Sequence, residues 1–173
     1  MSICFFHGMD SSPQGTKSTL LRRQYPEIWI PALPPDVEDR LDILDREMKR
    51  PMVVVGSSLG GLTALLFAMR KPKWVEGMVL LAPAVGTNRR DLFDANQVKV
   101  LETVYIPEGI PTTVIAGNRD DVIPISAIRS MIARSPDPHR ITVHEVDDDH
   151  NLHRSLDLML QSIREILEKV SQV

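Results

Sequence analysis

A serine enclosed by glycines carries the strongest chemical signal in this chain. The residues Gly56-Ser57-Ser58-Leu59-Gly60 read Gly-x-Ser-x-Gly and directly follow the apolar run Met52–Val55. This pattern is typical of a sharp turn from a strand into a helix, in which small residues two positions either side leave room for an exposed serine. Glycine and serine also dominate ordinary turns, so a nucleophilic Ser58 requires partners elsewhere in the chain.

Two such partners follow predicted strands further along the sequence. Asp120 lies in a turn after the apolar run Thr112–Ala116, and His150 follows an acidic turn after the run Ile141–Val146. A serine hydroxyl is a weak nucleophile until a base takes its proton, and an acid then orients the imidazole and stabilises its charged form. The order Ser58, Asp120, His150 therefore predicts a nucleophile, an acid and a base.

Other assignments of these polar residues remain open at this stage. An aspartate in a turn before a helix more commonly caps that helix, and this is the role we expect for Asp121. His7 could be read as a base, but its place between a buried strand and a glycine favours a role in shaping the loop. The remaining histidines, His139, His144 and His153, lie at less suitable positions.

A serine nucleophile also requires hydrogen-bond donors for the oxyanion of its intermediate. The sequence offers the backbone N–H of Leu59, directly after Ser58, and that of Met9, which follows the first predicted strand. Both amides are predicted to lie beside the turn that carries Ser58.

Apolar runs alternate with helical patterns along the whole chain, which predicts a three-layer α/β fold. Helices are expected on both faces of a mostly parallel sheet of about six strands. Ligands of such sheets bind beyond the carboxyl ends of the strands. The predicted strands are Ile3–Phe6, Ile28–Ile30, Met52–Val55, Val75–Leu81, Thr112–Ala116 and Ile141–Val146, and the predicted helices are 17–24, 37–48, 59–71, one within 90–104, 125–134 and 154–170.

Composition narrows the class of protein further. The 173 residues are 43% hydrophobic and 25% charged, which predicts one globular domain over 1–173. The net charge of −3 and the scattered basic residues argue against a nucleic-acid partner. Apolar stretches are far shorter than the roughly 20 residues of a membrane span, and the amino-terminal residues lack the basic region of a signal peptide. We therefore expect a cytoplasmic protein, in which the single cysteine, Cys4, packs in a strand.

Four motifs together resemble the α/β-hydrolase superfamily over essentially the whole chain. They are strand-His7-Gly8-Met9, the Gly56–Gly60 turn, Gly117-x-x-Asp120-x-x-Ile123-Pro124, and His150 before the last helix. The stretch His7–Pro13, with Lys17 in the next helix, is similar to the opening of small, compact bacterial YqiA-type esterases.

The resemblance implies a serine hydrolase that cleaves carboxylic esters or thioesters through an acyl-enzyme. Ser58 would attack, His150 would transfer protons, Asp120 would orient His150, and the Met9 and Leu59 amides would hold the oxyanion. No metal or organic cofactor is implied, and the partner is a small-molecule ester or thioester. Relative to larger members, the first strand comes early, so we expect a minimal version of the fold.

The connection from Ala84 to Pro111 contains one predicted helix, so no large lid is expected over the site. An open or shallow pocket favours small, soluble acyl groups. Two other functions stay open: a non-hydrolytic protein of the same fold that binds a small molecule or a protein, and an acyltransferase or perhydrolase in which another acceptor replaces water.

Overall fold

The computed structural model describes residues 2–86 and 95–172, and within them five strands alternate with six α-helices. The elements run in the order β1 Ile3–Phe6, α1 Thr16–Gln24, α2 Val37–Glu47, β2 Met52–Ser57, α3 Leu59–Arg70, β3 Val75–Leu81, α4 Ala95–Thr103, β4 Thr112–Gly117, α5 Ile125–Ala133, β5 Ile141–Val146 and α6 Leu156–Ser171. The helix predicted within 90–104 is α4, and residues 90–94 of that range lie outside the described residues.

The five strands form one parallel sheet in the order β1-β2-β3-β4-β5. Strands β1, β2 and β4 are buried along their whole length, as expected for continuous apolar runs with helices on both faces. This confirms the α/β architecture with a parallel sheet. At the outer position, β5 alternates between half-buried and exposed residues.

The strand predicted at Ile28–Ile30 is wrong, and the sheet has five strands instead of about six. Only Trp29 reaches the sheet, through an isolated parallel bridge to Cys4 in β1. Its amide donates to the Ile3 carbonyl at 3.1 Å, and its carbonyl accepts from the Phe5 amide at 2.9 Å. Prolines at positions 26 and 31 enclose this segment, and proline cannot donate to a ladder, so the pairing does not extend.

Side chains that alternate along the strands separate the core into two layers. Helices α2, α3, α4 and α5 pack on one face of the sheet, against the side of β1 that carries Cys4 and Phe6. Helices α1 and α6 pack on the other face, against the side that carries Ile3 and Phe5. Among the described residues, no helix is long and apolar enough to cross a membrane.

The chain order creates a crevice at the carboxyl ends of β1 and β2. After β1 the chain passes to Trp29 on the outer side of that strand, and it returns to form β2 on the inner side. The two segments that follow β1 thus lie on opposite sides of that strand. Open α/β sheets bind ligands at such a point, where the strand order reverses. The loop after β1 and the turn after β2 both border this crevice.

Candidate active site

Ser58 occupies a sharp turn between β2 and α3. Its φ of 54° and ψ of −117° lie outside the regions that residues with a side chain usually adopt, at a cost of about 1–3 kcal/mol. The surrounding backbone holds this conformation: the Ser58 amide donates to the Leu81 carbonyl at 2.9 Å, and the Ser58 carbonyl accepts from Gly61 and Ala84 at 2.9 and 3.0 Å. Strain that the fold maintains is common at functional sites.

The two glycines of the motif are required by close approach of backbone to backbone. A Cβ at Gly56 would lie 2.6 Å from the Gly60 carbonyl oxygen, and a Cβ at Gly60 would overlap the Phe6 carbonyl group. The first turn of α3 therefore packs directly on the end of β1. This packing places Ser58 beside the loop that follows β1, where a Cβ at Gly8 would lie 3.4 Å from the Ser58 Cβ.

Ser58, His150 and Asp120 form a continuous chain of hydrogen bonds at the carboxyl edge of the sheet. The Ser58 Oγ lies 3.0 Å from Nε2 of His150, and Nδ1 of His150 lies 2.8 Å from Oδ2 of Asp120. The other Asp120 oxygen, Oδ1, accepts from the amides of Val122 and Ile123 at 2.9 and 2.8 Å. The Asp120 side chain is 2% exposed and that of His150 is 18% exposed, so the acid is enclosed and the imidazole reaches the surface of the site.

The Asp120 carboxylate determines which nitrogen of His150 carries the proton. Burial acts to raise the pKa of Asp120, but hydrogen bonds from His150 and from the Ile123 and Val122 amides outweigh it and hold the pKa below its usual value. An ionised carboxylate can only accept, so Nδ1 of neutral His150 donates to it. Nε2 therefore presents its lone pair to the Ser58 hydroxyl, the arrangement that a general base needs.

A buried aspartate stabilises the turn that carries His150. Asp148 is buried, and its carboxylate accepts from the Asp149 and Arg154 amides at 2.9 Å each and from the Ser155 hydroxyl at 2.8 Å. Burial alone would raise the pKa of Asp148, but these hydrogen bonds lower it. One residue of the acidic run before His150 therefore stabilises the turn itself through hydrogen bonds. The sequence did not predict this role, because nothing in the run distinguishes Asp148 from its neighbours.

The loop after β1 is held from inside the protein by His7. The Leu33 amide donates to Nε2 of His7 at 3.2 Å, so Nδ1 carries the proton and donates to the Gly8 carbonyl at 2.8 Å. Burial lowers the pKa of His7, which favours this neutral form. No described peptide bond is cis, and in a trans peptide the N–H points opposite to the carbonyl. The Met9 N–H therefore points away from the buried His7 ring.

Arg40 supports the same loop and is a residue that sequence reasoning missed. Its side chain is fully buried, Nη1 donates to the His7 carbonyl at 2.8 Å, and Nε donates to the Pro34 carbonyl. Burial lowers the pKa of Arg40 to about 10, and its buried Nη2 has no hydrogen-bond partner among the described residues. The available signal was its place three residues after Val37, on the apolar stripe of α2.

The hydrogen-bonded series of Ser58, His150 and Asp120 lies beside a pocket of about 900 Å³. Ser58 and His150 line this pocket together with Gly8, Met9 and Leu59, so the structure brings all the predicted donors and reacting groups except the enclosed Asp120 to one surface. The Leu59 amide belongs to the first turn of α3, where N–H groups have no acceptor within the helix. Within the described ranges, no cluster of three or more His, Cys, Asp or Glu side chains could hold a metal ion.

The alternative acid and bases are outside the hydrogen-bonded series of Ser58, His150 and Asp120. Asp121 is exposed, and the carboxylate that contacts His150 belongs to Asp120. His139 lies in the short helical turn Pro138–Arg140, and His144 lies within β5. His153 is exposed and lines the pocket.

Residues 35–107 match the family described as serine aminopeptidase, S33. The match contains Ser58 and ends before Asp120 and His150. Solved structures extend the likeness to nearly the whole chain. Alpha/beta hydrolase domain-containing protein 10 from mouse is 18% identical, with a TM-score of 0.80 over 98% of this chain and 90% of that chain.

Two bacterial structures have the same fold. A protein of the α/β hydrolase superfamily from Xanthomonas campestris pv. campestris is 20% identical, with a TM-score of 0.73 over 98% of this chain and 99% of that chain. Est1E from Butyrivibrio proteoclasticus, solved with ferulic acid bound, is 14% identical, with a TM-score of 0.73 over 100% and 90% of the two chains.

The narrower resemblance to YqiA-type esterases stays a prediction. The parallel sheet, the strained serine turn and these structures support one conclusion: the chain has the α/β-hydrolase fold.

Proposed function

We propose that this protein is a serine hydrolase that cleaves carboxylic esters or thioesters of small acyl groups through an acyl-enzyme. The observation that carries the proposal is the unbroken series of hydrogen bonds from Ser58 through His150 to Asp120 at the wall of the pocket. A nucleophile within 3.0 Å of its base, and an orienting acid at 2.8 Å from the other nitrogen of that base, are the geometric signature of this chemistry.

In the first half of the proposed reaction, the Ser58 Oγ attacks the substrate carbonyl carbon while Nε2 of His150 takes the hydroxyl proton. The carbonyl oxygen becomes an oxyanion, which the Leu59 and Met9 amides would stabilise. His150 then gives the proton to the leaving oxygen or sulfur as the bond to the carbonyl carbon breaks. The products of this half are the Ser58 acyl-enzyme and an alcohol or thiol.

In the second half, His150 removes a proton from a water molecule, and the water oxygen attacks the acyl carbon. The second oxyanion collapses, the bond to Ser58 Oγ breaks, and His150 returns the proton to that oxygen. The free acid leaves and the resting enzyme is restored. Asp120 stays ionised throughout, because its enclosed carboxylate keeps two backbone donors and gains a charged imidazolium as partner.

The supports for the oxyanion donors agree with this assignment. From the interior of the protein, the His7 ring binds the Gly8 carbonyl and Arg40 binds the His7 carbonyl. The Met9 N–H, opposite to the Gly8 carbonyl, would then point to the side where Gly8 and Met9 line the pocket. The Leu59 amide lies at the positive end of the α3 dipole. An oxyanion bound here would face two backbone donors that need no rearrangement.

The family description favours one other reaction at the same residues, removal of an amino-terminal residue from a peptide. Acyl transfer to an alcohol or peroxide instead of water would also use the same acyl-enzyme. A protein that only binds its ligand would keep the pocket without turnover.

Hydrolysis of p-nitrophenyl esters and thioesters of graded acyl length, with aminoacyl p-nitroanilides in the same panel, tests the proposal. We expect turnover of short acyl esters or thioesters that Ser58→Ala abolishes and that the matched control Ser57→Ala largely keeps. Turnover confined to the anilides would assign an aminopeptidase. Stoichiometric binding without turnover in the folded wild type would refute the hydrolase.

A further inference from the structure

The pocket beside Ser58 has two unlike sides. Helices α3 and α4 present an apolar wall that includes Leu62, Leu66 and Leu101. The other side of the pocket is polar. Hydroxyl, amide and charged groups line it, and they come from the loop 10–16, the start of α1 and the residues after His150. A substrate with one apolar and one polar half therefore suits this pocket better than a wholly apolar one.

Lys17 is a cation on the polar side of the pocket. It lies in the first turn of α1, is partly buried, and its Nζ donates to the Asn151 carbonyl at 2.5 Å. An ammonium has three donors, and the Asn151 carbonyl takes one of them. Burial lowers the pKa of Lys17, while the charges of Asp148 and Asp149 act in the opposite direction.

The nearby carboxylates are already engaged in the turn 148–155. Asp148 accepts from two backbone amides and the Ser155 hydroxyl, and Oδ1 of Asp149 accepts from the Asn151 amide at 2.8 Å. Of these aspartates neither lines the pocket, whereas Lys17 and Asn151 both do. Lys17 therefore lines the pocket next to two carboxylates that already accept hydrogen bonds within the turn 148–155.

The position of Lys17 relative to His150 indicates which part of a substrate it would meet. The leaving oxygen or sulfur must lie within reach of Nε2 of His150 to receive its proton. Lys17 contacts the carbonyl of the very next residue, Asn151. A group attached to the leaving atom that extends along this side of the pocket would meet Lys17, and the acyl group would then lie against the apolar wall.

We propose that Lys17 binds an anionic group carried by the leaving alcohol or thiol, so that the preferred substrates join an apolar acyl group to an acidic alcohol or thiol. The inference rests on the proposed function, since it assumes that His150 protonates the leaving group. Three acidic side chains also line the pocket, Asp10, Asp36 and Glu38, and Glu38 is paired with Arg70. Asp10 is exposed and belongs to the polar loop before α1. Its charge would weaken binding of an anion, which supplies a second test.

The experiment compares two butyrate esters of similar size and shape that differ in charge, those of 4-hydroxybenzoate and of 4-hydroxybenzamide. Their Kd values are measured by calorimetry with the Ser58→Ala protein, and kcat/KM is measured with wild type. We expect the anionic ester to be favoured about tenfold in both, the scale of a charge-assisted hydrogen bond at a partly buried site. Adding Lys17→Met should remove the preference, Lys17→Arg should retain most of it, and Asp10→Asn should increase it.

Lys73→Met is the matched control, because Lys73 is exposed and precedes the amino end of β3, at the opposite edge of the sheet. It should leave the ratio unchanged. Equal Kd values of the two esters in the Ser58→Ala protein, or a preference that survives Lys17→Met, would overturn the proposal. An equal loss of affinity for both esters in Lys17→Met would also overturn it, because Lys17 would then act only by holding the Asn151 carbonyl in place. A preference in binding without Ser58-dependent turnover would refute the hydrolase and leave the anion site standing.

Discussion

Replacing Asp120 by asparagine should disable the site while the fold survives. In Asp120→Asn the side-chain oxygen can still accept from the Val122 and Ile123 amides, whereas the amide nitrogen would face Nδ1 of His150. Two donors cannot face each other, so His150 would adopt the tautomer with its proton on Nε2. That nitrogen could then no longer accept the proton of Ser58, which lies 3.0 Å away.

The expected sizes of the two effects differ widely. The same tautomer reversal in a serine protease lowers kcat by about 10⁴, which corresponds to about 5 kcal/mol of lost transition-state stabilisation. Because both backbone hydrogen bonds to the carboxylate oxygen are retained, the unfolding free energy should fall by only about 1 kcal/mol. For a chain of this length that is a Tm decrease of about 2–4 °C.

The assay is single-turnover and steady-state hydrolysis of the best ester from the panel, with Tm measured on the same preparations. Asp121→Asn is the matched control, since Asp121 is adjacent and exposed, and Asp120 supplies the carboxylate oxygen at 2.8 Å from His150; it should keep activity within a few-fold of wild type. More than about a tenth of wild-type activity in Asp120→Asn, together with an inactive Asp121→Asn, would refute the reasoning.

Three further predictions concern packing and pH. Gly60→Ala should lower the unfolding free energy by about 3 kcal/mol, because its methyl group would overlap the end of β1. Gly8→Ala should leave Tm nearly unchanged, because the atom nearest to its methyl group would lie at 3.4 Å. Equal Tm values for the two variants would contradict this packing. Ile163→Ala, at a fully buried position of α6, should cost about 2–5 kcal/mol in urea unfolding, and a loss below 1 kcal/mol would show that α6 is not packed as described. The folded state lowers the pKa of both Asp120 and Asp148, so the stability that these carboxylates contribute is complete above the unfolded pKa of about 3.9 and is lost as pH falls through the folded pKa. Urea unfolding at pH 7, 5 and 3 should show a decrease in unfolding free energy below pH 4, and Asp148→Asn should reduce that decrease. An unfolding free energy that stays constant down to pH 3 would contradict this prediction.

Elements with long apolar patterns were predictable from sequence because burial on both faces leaves an unmistakable pattern. Strand β2 and helix α3 lie within a residue or two of their predicted bounds, and the turn between them follows from the glycines. Trp29 shows the limit: its run is apolar enough for a strand, but whether a three-residue segment extends a ladder depends on neighbours that the sequence does not reveal.

The supports of the site were beyond prediction for a different reason. Arg40 and Lys17 both bind backbone carbonyls, and a carbonyl is present at every residue. Lys17 and Asn151 are 134 positions apart in the chain, so only the fold shows that they meet. The proposed reacting groups were easier to predict because their side-chain types are specific to the chemistry and each follows a strand of the same sheet.

The most direct test of the central claim is the identity of the residue that a fluorophosphonate labels. The reagent reacts with a serine whose hydroxyl is activated by a neighbouring base, and intact mass with peptide mapping locates the adduct. The account predicts one adduct on Ser58, absent from Ser58→Ala, present in Ser57→Ala and formed much more slowly in Asp120→Asn. A folded wild-type protein that is not labelled, or an adduct on another residue, would contradict it.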